Sequence, residues 1–168
     1  MTNNIYIRYI TLIPIYVLIQ TLILDEILFA GYINPFLYII LIINLPIKIK
    51  KWFLLSYAFL LGITLDFTNS TLGFHSTATV LIGFLKPLIS RLSIPHNTLG
   101  DLDIIDINKI GIKAYLIYSI TLIITHNTCL FYIEYLSFDF NMLMKTIASS
   151  LVTLIIILIT QLLIQKRK

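Results

Sequence analysis

Three side chains capable of chemistry fall within one short stretch of the chain. Residues 62–87 read GITLDFTNSTLGFHSTATVLIGFLKP, with Asp66, Asn69 and His75 around a polar turn between two apolar runs. A carboxylate, an amide and an imidazole in this setting can carry a proton, ligate an ion or hold two helices together. Lys86 and Pro87 close the second run, and His126 and Glu134 follow further along. Polar groups in hydrocarbon are costly, so they face protein or water and have a task there.

Asp66 fits a proton carrier or ion ligand, or a helix-end carboxylate that fixes the hairpin. Its neighbours Asn69, Ser70 and Thr71, with no second acid close in sequence, favour the structural role. His75 and His126 lie on different apolar runs without a nearby Cys or Glu pair, a poor pattern for a metal. Hydrogen bonds between helices suit them better, and neither a metal nor a cofactor is expected. A Ser76–His126–Asp66 triad can be assembled on paper, but no nucleophile-elbow glycines surround a serine. The lone Cys129 matches no zinc spacing, cannot form an internal disulfide and reads as packing. Lys86 and Arg91 flank Pro87, where snorkelling to anionic lipid headgroups is expected, with contact to a cytoplasmic partner as the sharper alternative. An enzyme is not expected.

The elements that position these groups follow from composition. The chain has 168 residues, 58% of them hydrophobic and only 12% charged. Apolar runs of about 18 or more residues recur, the pattern of membrane helices. An all-α polytopic membrane protein with a single transmembrane domain, residues 1–168, is expected. Six spans are placed near residues 5–24, 27–47, 52–67, 73–90, 110–133 and 143–164. The second is bracketed by Pro35 and Pro46 and reads as a helix kinked at Asn34-Pro35. Arg8 followed by an apolar stretch resembles a signal peptide, but Asp25 and Glu26 interrupt it, so a retained first span is expected. The net charge of +4 does not indicate nucleic acid. With six spans, Arg8, Lys48, Lys50, Lys51, Lys86, Arg91, Lys109, Lys113, Lys166, Arg167 and Lys168 share one side, which the positive-inside rule makes the cytoplasm. Only Lys145 falls on the other. Both termini are therefore expected inside, with Asp66, Asn69 and His75 at the outer rim. The segment 93–108, with Asp101, Asp103 and Asp106, reads as a solvated inner loop.

Small and hydroxyl residues mark faces where helices approach. Gly62, Asp66, Asn69 and Gly73 share one face of the third span, and Ser76, Thr79, Gly83 and Lys86 a stripe on the fourth. Tyr118, Thr121, Thr125, Thr128 and Tyr132 line one face of the fifth, and Ser119, His126 and Cys129 a neighbouring one. Thr146, Ser149, Thr153 and Thr160 mark the sixth. Spans three to six are thus expected to form the compact body, with the more uniformly apolar first two at its edge or against another subunit.

With these residues in place, the chain resembles the MreD family of rod-shape-determining bacterial membrane proteins. The resemblance rests on Gly62, Asp66, Leu72-Gly73, His75 and Lys86-Pro87, with about six apolar spans and a Pro-led second span. His126-Asn127, Leu130-Phe131, Glu134 and Ser137-Phe138 are similar to forms from Bacteroidetes-type bacteria. The Ile and Asn content and the acidic segment 101–106 depart from the family pattern. The resemblance implies a fold similar to the substrate-binding subunits of energy-coupling-factor transporters. It implies a non-enzymatic scaffold of the cell-wall elongation complex in the inner membrane. Expected partners are an MreC-like periplasmic protein, a RodA-like glycosyltransferase, a class B penicillin-binding protein, an MreB-like cytoskeleton and membrane lipids. Gly62, Asp66, Asn69, Gly73, His75, Lys86, Arg91 and His126 are the candidates for helix packing or partner contact. The alternative is a substrate-binding subunit for vitamin uptake, with Asp66, Asn69, His75, His126 and Glu134 as ligand contacts.

Overall fold

A computed structural model describes residues 2–26, 32–95, 105 and 107–165. Its long elements are helices. α1 (Thr2–Ile19) runs into one π-helical turn, Gln20–Leu24, and a short α2 (Ile39–Ile43) follows. α3 (Lys51–Asn69) and α4 (Phe74–Ser93) form a hairpin. The short α5 (Ile107–Ile110) leads into α6 (Ile112–Tyr135), and α7 (Phe140–Gln165) comes last. Four stretches are long and apolar enough to cross a membrane: Tyr6–Leu24, Lys51–Asn69, Ile112–Tyr135 and Phe140–Ile164. α4 matches them in length with 20 residues. Its hydroxyl residues, Lys86 and Arg91 make it more polar.

Which faces are buried agrees with lipid as the surrounding solvent. On α1 and the π turn after it, Tyr9, Ile13, Val17 and Gln20 point inward, while Ile7, Ile15, Leu18 and Leu22 are exposed. On α7 the polarity is the reverse of a soluble helix. Thr146, Ser149, Ser150, Thr153 and Gln161 are buried, and Leu143, Ile147, Leu151, Ile155 and Leu162 are exposed. Lipid tails are as apolar as leucine, so burying leucine gains little there, and polar pairing selects the inward face.

Contacts between elements set their directions. Tyr57 on α3 lies beside Tyr9 on α1, and Asn69 beside Asp25, so these helices run the same way. α4 returns antiparallel, with Gly62 against Ser76 and Gly83 against Ala58. α6 reverses again, with His126 near the start of α4. α7 reverses once more, bringing Ser150 to Asn127.

The second segment differs from its expected form. A kinked helix over 27–47 is predicted by the sequence, and residues 27–31 lie outside the described residues. From Asn34 onward there is no continuous helix. The chain enters by tight turns, with the Ile39, Ile40 and Leu41 amides bonded three residues back, and α2 (Ile39–Ile43) is a short α-helix whose end is closed by the Asn44 amide on the Ile40 carbonyl. This segment is also not at the edge, as its apolar composition suggested. Phe36 to Ile43 are all buried, and Tyr38, Ile39, Ile42 and Ile43 are 0% exposed. It occupies the centre of the bundle.

The α3–α4 crossing explains two glycines. A Cβ on Gly62 would collide with the Ser76 Cα and the Thr79 hydroxyl, and one on Gly83 would sit 3.1 Å from the Ala58 Cβ. The resulting approach lets Thr79 Oγ1 donate to the Ala58 carbonyl at 2.8 Å, a helix-to-helix bond that needs backbone contact. Gly62→Ala should therefore cost about 1–3 kcal/mol by overpacking, and Gly83→Ala less. Unfolding in mixed micelles, monitored by circular dichroism, measures both.

Candidate functional site

Asp66 is buried, at 3% exposure, and works as a cap for the next helix. Its Oδ1 accepts from the His75 amide at 2.9 Å and from the Thr71 hydroxyl at 2.6 Å, and its Oδ2 accepts from the Ser76 amide at 2.9 Å. The first amides of a helix have no partners within it, and the N-terminal end favours negative charge. Asp66 meets both needs from the preceding helix. The turn between them requires Gly73 at φ 87°, in the left-handed region. The structural role expected for Asp66 is the one its contacts describe. Asn69, one turn on, donates through Nδ2 to Asp25 Oδ2 at 3.0 Å and ties the end of α3 to that of α1.

His75 and His126 meet through a residue that spacing did not single out. The Tyr38 hydroxyl lies 2.8 Å from His75 Nδ1 and 3.0 Å from His126 Nε2. His126 Nδ1 is 3.0 Å from Asn127 Oδ1, and Asn127 Nδ2 donates to Ser150 Oγ at 2.9 Å. These bonds fix a direction. Asn127 Oδ1 accepts, so His126 Nδ1 donates and Nε2 accepts from Tyr38. The Tyr38 oxygen then accepts from His75 Nδ1, which leaves His75 Nε2 with a lone pair. Phe36 packs edge-on against His75, with ring centres 6.0 Å apart, and at a tilt against His126, at 5.6 Å. Sequence reasoning linked the histidines to helix pairing but missed Tyr38, Asn127 and Ser150. The adjacency of Asn127 to His126 was the available signal.

Lys86 corrects an expectation. It does not snorkel to headgroups. It is 3% exposed, and its ammonium donates to the Ile42 carbonyl at 2.8 Å and the Leu45 carbonyl at 2.5 Å, with Ile43 at 3.4 Å. No carboxylate among the described residues lies within ion-pair distance of it. The charge is met instead by the carbonyl end of α2, where cations are favoured. Arg91, one turn further on, is exposed and lies with Lys51 beside an apolar groove between α3 and α4.

Other side chains complete the satisfaction of the second segment. Gln20 is brought inward by the π turn, donates to the Pro35 carbonyl at 2.8 Å and accepts from the Leu37 amide at 2.9 Å. Thr153 Oγ1 accepts from the Phe36 amide at 3.0 Å, and Ser149 Oγ from the Asn34 amide at 3.2 Å. The Tyr118 hydroxyl donates to Ile43, and that of Tyr9 to Asn44. The Thr121 and Thr125 stripe does none of this. Those hydroxyls face outward and bond to their own helix, four residues back.

At the end of the bundle where α3 meets α4, a cleft of about 410 Å³ opens between helix ends. Asp25, Asn69, His75 and Glu134 line it with Phe36 and Phe131. His126 and Asp66 do not reach it. Lys145 stands behind one wall, 3.4 Å from Glu134 and 4.6 Å from the centre of the Phe131 ring. Among the described residues no group of three or more His, Cys, Asp or Glu is placed to hold a metal ion. The acidic segment 101–106 lies outside the described residues except for Ile105, which is buried. No protein-family model, curated protein or solved structure matches the chain.

Removing either cap strands buried backbone groups. Asp66→Ala should cost about 1–3 kcal/mol, and Asp66→Asn less, since one acceptor oxygen remains. Lys86→Met should cost at least as much as Asp66→Ala. It should also speed amide hydrogen exchange at residues 39–45, which mass spectrometry of the protein in detergent reads directly.

Proposed function

We propose that this chain is a non-enzymatic scaffold subunit of the bacterial cell-wall elongation complex, of the MreD type, in the inner membrane. Supporting this reading is how its polar residues are used. Gly62, Asp66, Gly73, His75 and Lys86 carry the resemblance, and each holds one helix to another or shapes the turn between them. A protein whose buried polar groups are engaged internally acts through its surfaces. Those surfaces are the lateral helix faces and the hairpin tip, where Phe67 and Leu72 are 80% and 93% exposed.

On this reading the chain makes six passes with both termini in the cytoplasm. The alternating directions of α1, the second segment, α3, α4, α6 and α7 support it, as does the gathering of Lys48, Lys50, Lys51 and Arg91 at one end. An MreC-like protein meets the outer end, RodA-like and penicillin-binding partners the lateral faces, and an MreB-like filament the basic end.

The alternative, a substrate-binding subunit for vitamin uptake, is favoured by one observation, the outer cleft that Asn69, His75 and Glu134 line. Affinity purification of the tagged chain from native membranes separates the two. Recovery of MreC-like and RodA-like proteins in constant ratio is expected, and their reproducible absence would sink the scaffold reading. A reporter fused to the C-terminus should be active only in the cytoplasm.

A further inference from the structure

We infer that the outer cleft binds a compact organic cation, a protonated primary amine carried on an aromatic or other apolar body. The inference rests on the cleft and not on either reading of the whole chain. Its charged groups are the carboxylates of Asp25 and Glu134, beside the amides of Asn34 and Asn69 and the Thr71 hydroxyl. Asp25 takes one bond on each oxygen, from Gln20 at 2.7 Å and from Asn69 at 3.0 Å, and both donors are neutral amides. No cation among the described residues lies within ion-pair distance of Asp25. Glu134 has Lys145 at 3.4 Å, and its side chain stays 40% exposed. Two carboxylates therefore share one cation, and the cleft carries a surplus negative charge.

His75 supplies the independent observation. It is 6% exposed and lines the cleft. Its Nδ1 is committed to Tyr38, and its Nε2 makes no hydrogen bond within the described residues. That nitrogen opens on the cleft, so its lone pair is presented to whatever occupies the space. An ammonium supplies donors for an acceptor such as His75 Nε2 and one positive charge to offset the surplus on the acidic lining. Phe36 and Phe131 form an apolar wall beside these acceptors. Aromatic faces also attract cations, as the placement of Lys145 over Phe131 illustrates. A carboxylate ligand would meet two like charges and no free donor from His75.

The test uses three probes with the same aromatic body and different heads: phenethylammonium, hydrocinnamate and phenethyl alcohol. Each is titrated calorimetrically into the purified chain in neutral detergent, and thermal unfolding is followed in parallel. The amine should bind saturably and raise the unfolding temperature, as a ligand of the native state must. The acid should do neither. Asp25→Asn and Glu134→Gln should each weaken amine binding by about tenfold. Glu134 is at the exposed rim, so its variant tests the idea even if Asp25→Asn folds poorly. On the unsubstituted protein, the amine should shift the His75 Nε2 resonance in nitrogen NMR, whereas the acid should not. Equal responses to the three probes, no binding of the amine, or amine binding that leaves His75 and both variants unaffected would each overturn the proposal.

Discussion

Backbone in hydrocarbon must find its hydrogen bonds inside the protein. In the five long helices the helical ladder does this automatically. Between Asn34 and Leu45 it does so only in part, because Pro35 removes a donor and α2, five residues long, leaves most of the segment's amides and carbonyls at its ends. Side chains from four helices supply the remaining partners: Gln20, Lys86, Tyr118, Ser149 and Thr153. The inward orientation of α4 and α7 follows from this need. So does the π turn, which places Gln20 against Pro35 and Leu37.

The chain of side-chain bonds from His75 to Ser150 adds specificity. It joins the second segment, α4, α6 and α7 through Tyr38, whose hydroxyl bonds to both imidazoles. In lipid, helices gain little by hiding apolar surface from one another. Directional bonds of this kind therefore fix rotation and register. A helix rotated by one residue would withdraw His126 from Tyr38 and leave several buried groups without partners, each at a cost of about 1–3 kcal/mol.

Much of this was legible in the sequence, for identifiable reasons. The long helices announce themselves by apolar length. Gly62 and Gly83 marked a close crossing, and Asp66 among Asn69, Ser70 and Thr71 read as the fixing group of a hairpin. What failed was the choice between faces. Spacing puts Thr121 and Thr125 on a stripe with Tyr118, but a threonine that bonds to its own helix is content to face lipid, so those two turn outward while Tyr118 faces in. Lys86 misled for a related reason. Its stem is long enough to reach a headgroup or a carbonyl cluster, and nothing local tells which is nearer. The second segment was misplaced because uniform apolarity suits both a lipid-facing edge and a protein-filled centre. Only the polar residues of other helices distinguish them, and their pairing with Asn34 to Leu45 reaches across as many as 117 residues of sequence.

The same pairing imposes an order on biogenesis. Synthesis delivers Asn34 to Leu45 early, but Lys86, Tyr118, Ser149 and Thr153 emerge only later. Until they do, the segment has carbonyls and amides that neither lipid nor its own winding can satisfy. It cannot settle in the bilayer as an independent helix and then dock. The segment must wait at the interface or within the insertion machinery until α4, α6 and α7 have arrived. The centre of this bundle is thus its last part to be completed, and a chain truncated before α7 would hold its core segment without a stable position.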